Sequence, residues 1–312
     1  MRHLFILDPL HALHADADTS IAFIAEAWRR GHSVETCEVG GLGQRDGEPF
    51  VAAAVTTPGG DEGPWFSSSA TRSQQLAGYH AVWMRKDPPV DDAYLFATLL
   101  LSRVDGPVMV NEPAALRNQN EKLFALEFPE LCPKTLVSRD VEQLLSFRDE
   151  LGGEMIVKPL DGNGGRDVFH LTRGDRNARV IVESGTRHGQ GLLLAQQYVP
   201  AVREGDKRII LIEGEPAGAV LRVPADGESR ANLHVGGRAE RVDLTKRDRE
   251  ICARIGPRLR ELGVIFAGID VIGDFLTEIN ITSPTGLREI EQLSGVALEA
   301  QVLDAVEARR RS

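Results

Sequence analysis

VIFAGIDVIGDFLTEINITSPTGL, residues Val264 to Leu287, reads as two apolar strands around a Gly273-Asp274 turn. The strands carry Asp270, Glu278 and Asn280. Two carboxylates and an amide oxygen are hard donors, the set Mg2+ takes when phosphates fill its other positions. Glu278 and Asn280 are two apart on one strand and so share a face. Asp270 joins them only if the turn has the right length. A two-residue loop pairs Asp270 with Thr277, on the wrong face, whereas a three-residue loop of Gly273 to Phe275 sets it opposite Glu278. Carboxylates on a strand pair are also often plain solvated residues, so this segment alone leaves both readings open.

Outward from the hairpin, the chain has the build of an ordinary globular protein. Its 312 residues are 42% hydrophobic and 26% charged, enough for two or more packed units. The net charge of −10 argues against non-specific nucleic-acid binding, which needs a basic face, but leaves room for a local basic pocket. Cys37, Cys132 and Cys252 are far apart and form no CxxC pair, so neither a disulfide framework nor a zinc site is expected. The N-terminal apolar run is too short for a signal peptide, and no segment approaches a membrane span. The expected partners are small molecules, with no nucleic acid and no membrane, and the expected compartment is the cytoplasm.

The first part alternates strands and helices: Leu4 to Leu7, a helix opening at Asp18-Thr19-Ser20, Val34 to Val39, Ala81 to Met84, a helix over Asp91 to Val104, and Pro107 to Val110. Such alternation predicts an α/β unit with a Rossmann-like parallel sheet. Gly40 to Gln75 is rich in Gly, Pro, Ser and Thr and is expected to be mostly loops. After Ala114 a helix is expected over Leu116 to Phe128, then a strand-dense α+β half with a hairpin of Ile209–Ile212 and Ala219–Val223.

Several segments there suit anion chemistry. Lys158 ends a strand and is followed by Asp161-Gly162-Asn163-Gly164-Gly165, a loop whose backbone N–H groups can approach phosphate oxygens beside a lysine point charge. An ordinary glycine hairpin is the other reading, and the loop is not a Walker A motif. Gln196-Gln197-Tyr198-Val199 closes a strand at a hinge whose backbone could read an adenine edge. Asp206-Lys207-Arg208 opens one strand of the hairpin and Arg222 closes its partner, so both arginines lie near one end of the sheet. Forked guanidiniums there suit phosphate or carboxylate, or a surface salt bridge. Pro224 to Arg238 is a long polar loop of the kind that forms lids. Arg85-Lys86-Asp87-Pro88-Pro89 follows a buried strand, where ligands of parallel sheets bind.

Met84 to Pro89 (MRKDPP), Asn120 to Leu123, Lys158 to Gly162, Gly205 to Arg208 and Thr277 to Thr285 (TEINITSPT) together resemble the ATP-grasp carboxylate–amine ligases, and among them the bacterial glutathione synthetases, over essentially the whole chain. The resemblance implies an N-terminal α/β substrate domain (1–118) and a two-part ATP-grasp domain (119–312), with a central lid (119–195) and a catalytic part (196–312) bearing a mobile loop (224–238). It implies ATP with Mg2+ or Mn2+, held by Asp270, Glu278 and Asn280. Lys122 and Lys158, both from the lid, would hold the phosphates under Gly162 to Gly165, with Gln196 to Val199 at adenine and Asp206 near the nucleotide. Arg208 and Arg222 would be catalytic. Asp18, Thr19, Ser20, Arg85, Lys86, Asp87, Ser283, Pro284 and Thr285 would bind substrate.

The implied reaction joins γ-glutamylcysteine to glycine through an acyl phosphate, in a homotetramer or homodimer. A D-alanine–D-alanine ligase or a peptide-modifying amino-acid ligase would share Lys158, Glu278 and Asn280 but should lack MRKDPP. A catalytically silent nucleotide-binding regulator is a further rival, against which the three retained candidate ligands speak. Two departures stand out. LHALHADA before Asp18 lacks the lysines expected there, and Gly286 replaces a larger residue after Thr285, a change the sequence leaves neutral.

Overall fold

In the computed structural model, residues 1–60, 64–162, 164–225 and 236–311 are described. Asn163 and most of the expected mobile loop (226–235) lie outside the described residues.

Four parallel strands, ordered Ser33–Cys37, Arg2–Ile6, Ala81–Met84 and Val108–Val110, form the centre of the N-terminal sheet. The apolar runs of the two central strands, Leu4 to Ile6 and Ala81 to Met84, are fully buried, as parallel strands between helices must be. Helices Thr19–Arg29 and Asp92–Leu101 are capped by the side chains of Asp18 and Asp91.

The segment expected to be loops is instead sheet. Strands Leu42–Arg45, Glu48–Pro58, Phe66–Ser68 and Arg72–Gln75 continue the parallel core as an antiparallel extension. The missed signal is Asp46-Gly47, both at positive φ (51° and 89°) in a two-residue loop between Arg45 and Glu48. Asp-Gly is the strongest short hairpin signal. Small Ala and Thr side chains obscured the alternation that buries Val51 and Ala53.

The expected helix over Leu116 to Phe128 is also divided. Pro113–Asn118 ends, and Asn120 caps a new helix, Glu121–Ala125, by accepting from the backbone N–H of Lys122 and Leu123. Beyond it stands a four-stranded antiparallel sheet, ordered Phe169–Thr172, Glu154–Pro159, Leu193–Gln197 and Thr135–Ser138. Helices Val141–Glu150 and Ala178–Gly185 back it around a separate core of Leu144, Met155, Val157, Leu171, Val182 and Leu193.

The second antiparallel sheet has five strands, ordered Arg238–Arg241, Glu215–Val223, Asp206–Ile212, Phe266–Ile272 and Phe275–Asn280. It shares two cores with the N-terminal sheet: Ile6, Met84 and Tyr94 join Ile209, Ile251 and Ile269 in one, and Phe23 and Trp83 join Phe266, Leu287 and Leu298 in the other. The buried Asn111 ties the two sheets directly. Its Nδ2 donates to the carbonyls of Phe266 (2.7 Å) and Ile281 (2.6 Å), and its Oδ1 accepts from the N–H of Ile265 and Phe266. The C-terminal helix Leu298–Arg311 returns to the N-terminal unit, where Arg30 pairs with Asp304 and Glu307.

Candidate active site

The turn between the last two strands is the two-residue loop Gly273-Asp274, with Ile272 paired to Phe275 and Val271 to Leu276. The register then shifts, and Asp270 pairs with Glu278 and Gly268 with Asn280. The extra residue is therefore Thr277, bulged within the strand, rather than Phe275 in a longer turn. Its hydroxyl donates to the Asp270 carbonyl at 3.1 Å. The bulge puts Asp270, Glu278 and Asn280 on one face.

On the other side of Asp270 its strand partner is Arg208, which grips the carboxylate through Nε (2.6 Å) and Nη2 (3.0 Å). Arg222, paired across the hairpin with Asp206, also reaches Asp270 at 3.0 Å. Both arginines are buried, so the surface salt-bridge reading fails. Burial disfavours the charged form of Asp270, but Arg208 and then Arg222 outweigh it and hold its pKa down at about 2. For Asp206 burial wins over Arg222, and its carboxyl is pushed up to about 6.

Glu278 is met by Lys158 at 3.2 Å and Lys122 at 3.8 Å. Burial opposes its charge, yet Lys158 and Lys122 together keep its pKa below the usual range. Lys122 does not come from the lid sheet as expected. Its helix packs on the Phe275–Asn280 strand, with Phe124 and Ala125 in the shared core. Lys122 is also bonded to Glu121, a half-buried carboxylate that the sequence pattern does not mark, and to the Gly162 carbonyl at 2.6 Å. Lys122, Lys158, Arg208 and Arg222 thus stand against Glu121, Asp206, Asp270 and Glu278, four charges against four. A triphosphate entering this balanced cluster brings negative charge that a divalent cation would offset.

The donor set fits such a cation. It is hard and oxygen-rich: the carboxylates of Asp270 and Glu278 face the same side as the side-chain amide of Asn280, whose oxygen could serve as a third ligand. Among the described residues there is no cluster of three or more His, Cys, Asp or Glu that could hold a metal. Two carboxylates with an amide and phosphate oxygens would be the ligands instead.

A cleft between the two antiparallel sheets contains Lys122, Lys158, Gly162, Gly164, Gly165, Gln196 to Val199, Asp206, Asp270 and Glu278. Its apolar walls are Ile156, Val168, Val202 and Ile272, none of them singled out by sequence because apolar strand residues look like any core. At the hinge Gln196 bonds Thr135, the Gln197 N–H bonds the Lys134 carbonyl, and the Tyr198 ring stacks on His170 with centroids 4.1 Å apart. Nothing in the sequence around His170 marks it as part of a site.

The expected substrate residues gather at the far side of Arg208, whose Nη1 donates to the Thr285 carbonyl. Arg85 is buried, donates to Ser20 Oγ and the Pro284 carbonyl, and leaves Nη1 without a partner. Asp87 lies beside Ser283, with burial raising its pKa against that hydrogen bond. Two expectations change here. Asp18 itself takes the N–H groups of Ser20 and Ile21, so those helix-start amides are already satisfied. Lys86, expected to bind substrate, is instead engaged by Asp8 at 2.9 Å and by the Asp87 carbonyl. Gly286 is not neutral: its φ is +106° and a Cβ would stand 3.0 Å from Arg208 Cγ.

The N-terminal domain family of prokaryotic glutathione synthetase matches residues 1–117, and its ATP-grasp domain family matches residues 121–295. The chain belongs to the prokaryotic glutathione synthetases. A glutathione synthetase of Synechococcus elongatus is 46% identical, covering 99% of this chain and 98% of its own. That of Mesorhizobium japonicum is 45% identical over 98% and 97%, and that of Vibrio cholerae 41% over 98% and 97%.

Solved structures extend the likeness to fold alone. The D-cycloserine synthetase DcsG superposes with a TM-score of 0.68 at 17% identity, over 98% of this chain and 99% of its own. The ATP-grasp ligase PsnB, complexed with a precursor peptide and AMPPNP, gives 0.63 at 17%, over 100% and 98%. The glutathione synthetase fold is therefore an ATP-grasp fold, here an α/β N-terminal sheet followed by two antiparallel sheets that face each other across the charged cleft, and the chain is an ATP-dependent ligase.

Proposed function

We propose that this chain joins γ-glutamylcysteine to glycine with ATP, through an acyl phosphate, at the cleft between the two antiparallel sheets. The observation that carries the reading is the convergence of Lys122, Lys158, Arg208, Arg222, Asp270 and Glu278 in one buried cluster. A carboxylate is a poor acyl donor because oxide would have to leave. One cysteinyl carboxylate oxygen therefore attacks the γ-phosphorus, the β–γ bridging bond breaks, and ADP departs. The glycine nitrogen then bonds the carbonyl carbon, phosphate leaves with the former carboxylate oxygen, and the amine loses its proton.

This chemistry asks for positioning and charge neutralisation more than a protein nucleophile. Lys122 and Lys158 turn from Glu278 to the phosphates, beneath the loop of Gly162, Asn163, Gly164 and Gly165. Arg208 and Arg222, already fixed by Asp270, stabilise the oxyanion of the tetrahedral adduct. Gln196, Gln197, Tyr198 and Val199 face the adenine, and Asp206 orients Arg222. The divalent ion, magnesium or manganese, neutralises phosphate charge when held by Asp270, Glu278 and Asn280. Ser20, Arg85, Asp87, Ser283, Pro284 and Thr285 enclose the dipeptide and glycine, with the Arg85 Nη1 free to take a carboxylate; Asp18 and Thr19 shape the same wall, and Lys86 stands outside it on Asp8.

We place the limit of the N-terminal domain at 118/119 and, within the ATP-grasp domain, the lid sheet between Thr135 and Gln197, with the helix of Lys122 on the catalytic side, and we propose a homo-oligomer. Cys37, Cys132 and Cys252 are free and buried, which fits a reducing cytoplasm, and among the described residues no helix is long and apolar enough to cross a membrane. The test is ADP release with γ-glutamylcysteine and glycine, against D-alanine pairs and against glutamate offered to a peptide. Turnover with the first pair alone is expected. Turnover with D-alanine but not with γ-glutamylcysteine would leave the fold standing and overturn the substrate.

A further inference from the structure

Helix Asp92–Leu101 is amphipathic in an unusual sense. Its inner side buries Tyr94, Ala97, Thr98 and Leu101, while its outer side leaves Phe96 63% and Leu99 45% exposed. Asp92, Phe96 and Leu99 follow at spacings of four and three and form one stripe along that outer face, and Arg103, exposed in the turn two residues past the helix, stands at its C-terminal end. The stripe is apolar in the middle, acidic at its start and basic at its end. Neither Asp92 nor Arg103 has an ion-pair partner among the described residues. Val90, just ahead of the helix, is also 43% exposed, and adjacent bulky apolar groups left in water mark a contact surface.

We propose that this face packs against the same face of a second copy of the chain, antiparallel about a two-fold axis. The reason for that occupant is the symmetry of the stripe. An axis passing midway between Phe96 and Leu99 sets Phe96 against Leu99 of the second copy and Asp92 against Arg103 of the second copy. Each copy therefore supplies what the other lacks, as an isologous contact requires. A parallel arrangement would oppose like charges at both ends. The ten-residue helix is only about 15 Å long, so the contact is small and the association concentration-dependent. The inference gives a place to the homo-oligomer proposed above and rests on that reading.

Sedimentation velocity of the full chain from about 1 to about 100 µM tests it, a range matched to micromolar affinity. The unaltered chain is expected to associate. Phe96→Glu, at an exposed position, should cut the assembled mass to half or less with an unchanged circular dichroism spectrum. Asp92→Arg or Arg103→Asp alone should weaken association about tenfold, since each change meets a like charge twice per dimer. The two together should restore it. A monomer at all concentrations would overturn both the homo-oligomer and this surface. An oligomer indifferent to Phe96→Glu, or a double variant as weak as the singles, would overturn the surface and leave the homo-oligomer standing.

Discussion

The four-stranded sheet packs on two helices around its own small core, whereas the five-stranded sheet shares both of its cores with the N-terminal sheet. Each contributes to one charged cluster, but from unequal footings. Asp270, Glu278, Arg208, Arg222 and Lys122 stand on the larger body, fixed further by Asn111 and by the ion pairs of Arg30 with the last helix. Lys158 and the glycine loop stand on the smaller unit. That unit reaches the body through polar contacts: Lys158 to Glu278, Lys122 to the Gly162 carbonyl, and Asn120 to the Leu160 carbonyl at 2.8 Å. Phosphates can replace the two made by lysines. The difference teaches that the acids and arginines stand on a body with shared cores, while the smaller unit is joined to it by polar bonds that, in the proposed reaction, the phosphates of ATP would exchange.

The sharpest way to break this division is Glu278→Gln, which keeps volume but removes the carboxylate the two lysines share. ADP release should fall about a thousandfold, near 4 kcal/mol of barrier, while the melting temperature stays close to that of the unaltered chain. Activity within tenfold would remove Glu278 from the chemistry. Asn111→Ala attacks the body's frame instead. Buried backbone groups of Ile265, Phe266 and Ile281 lose their partner, and urea unfolding should show a global loss of about 3–5 kcal/mol. A loss confined to a few residues by hydrogen exchange would mean the sheets are not one unit.

Leu144→Ala makes the complementary cut. Leu144 is fully buried in the lid's own core, so the expected cost is about 3 kcal/mol. Hydrogen exchange should quicken over residues 135–197 and leave the five-stranded sheet protected. Equal quickening in both sheets would erase the distinction. The smallest effect is expected from Gly286→Ala, where positive φ and the Arg208 side chain together should cost about 1–2 kcal/mol. A chain as stable as the original, with unaltered kcat, would make Gly286 incidental.

The two regions also differ in how far the sequence discloses them. Alternating apolar strands and capped helices announce the parallel sheet, and TEIN carries two metal-ligand candidates at a spacing that needs only strand geometry. What alternation cannot announce is where a register slips: the bulge at Thr277 is a one-residue event that no local pattern marks, yet it alone brings Asp270 to Glu278. The antiparallel extension was hidden because Ala52, Ala53 and Ala54 carry little hydrophobic contrast, although Asp46-Gly47 signalled it. Lys122 looked like part of the lid by position in the chain, and only the packing of Phe124 and Ala125 assigns it to the body. Glu121 and His170 were missed for a shared reason: Glu278 and Tyr198, the groups that bring them into the site, become their neighbours only through tertiary contact.

The most direct test of the central claim follows one atom. γ-Glutamylcysteine labelled with 18O in its cysteinyl carboxylate is turned over with ATP and glycine, and the released phosphate is examined by mass spectrometry. Transfer through an acyl phosphate predicts one 18O in every phosphate formed, together with tripeptide retaining one 18O at the new amide. Tripeptide formed alongside phosphate free of label would contradict the account, because the carboxylate oxygen would never have met the γ-phosphorus.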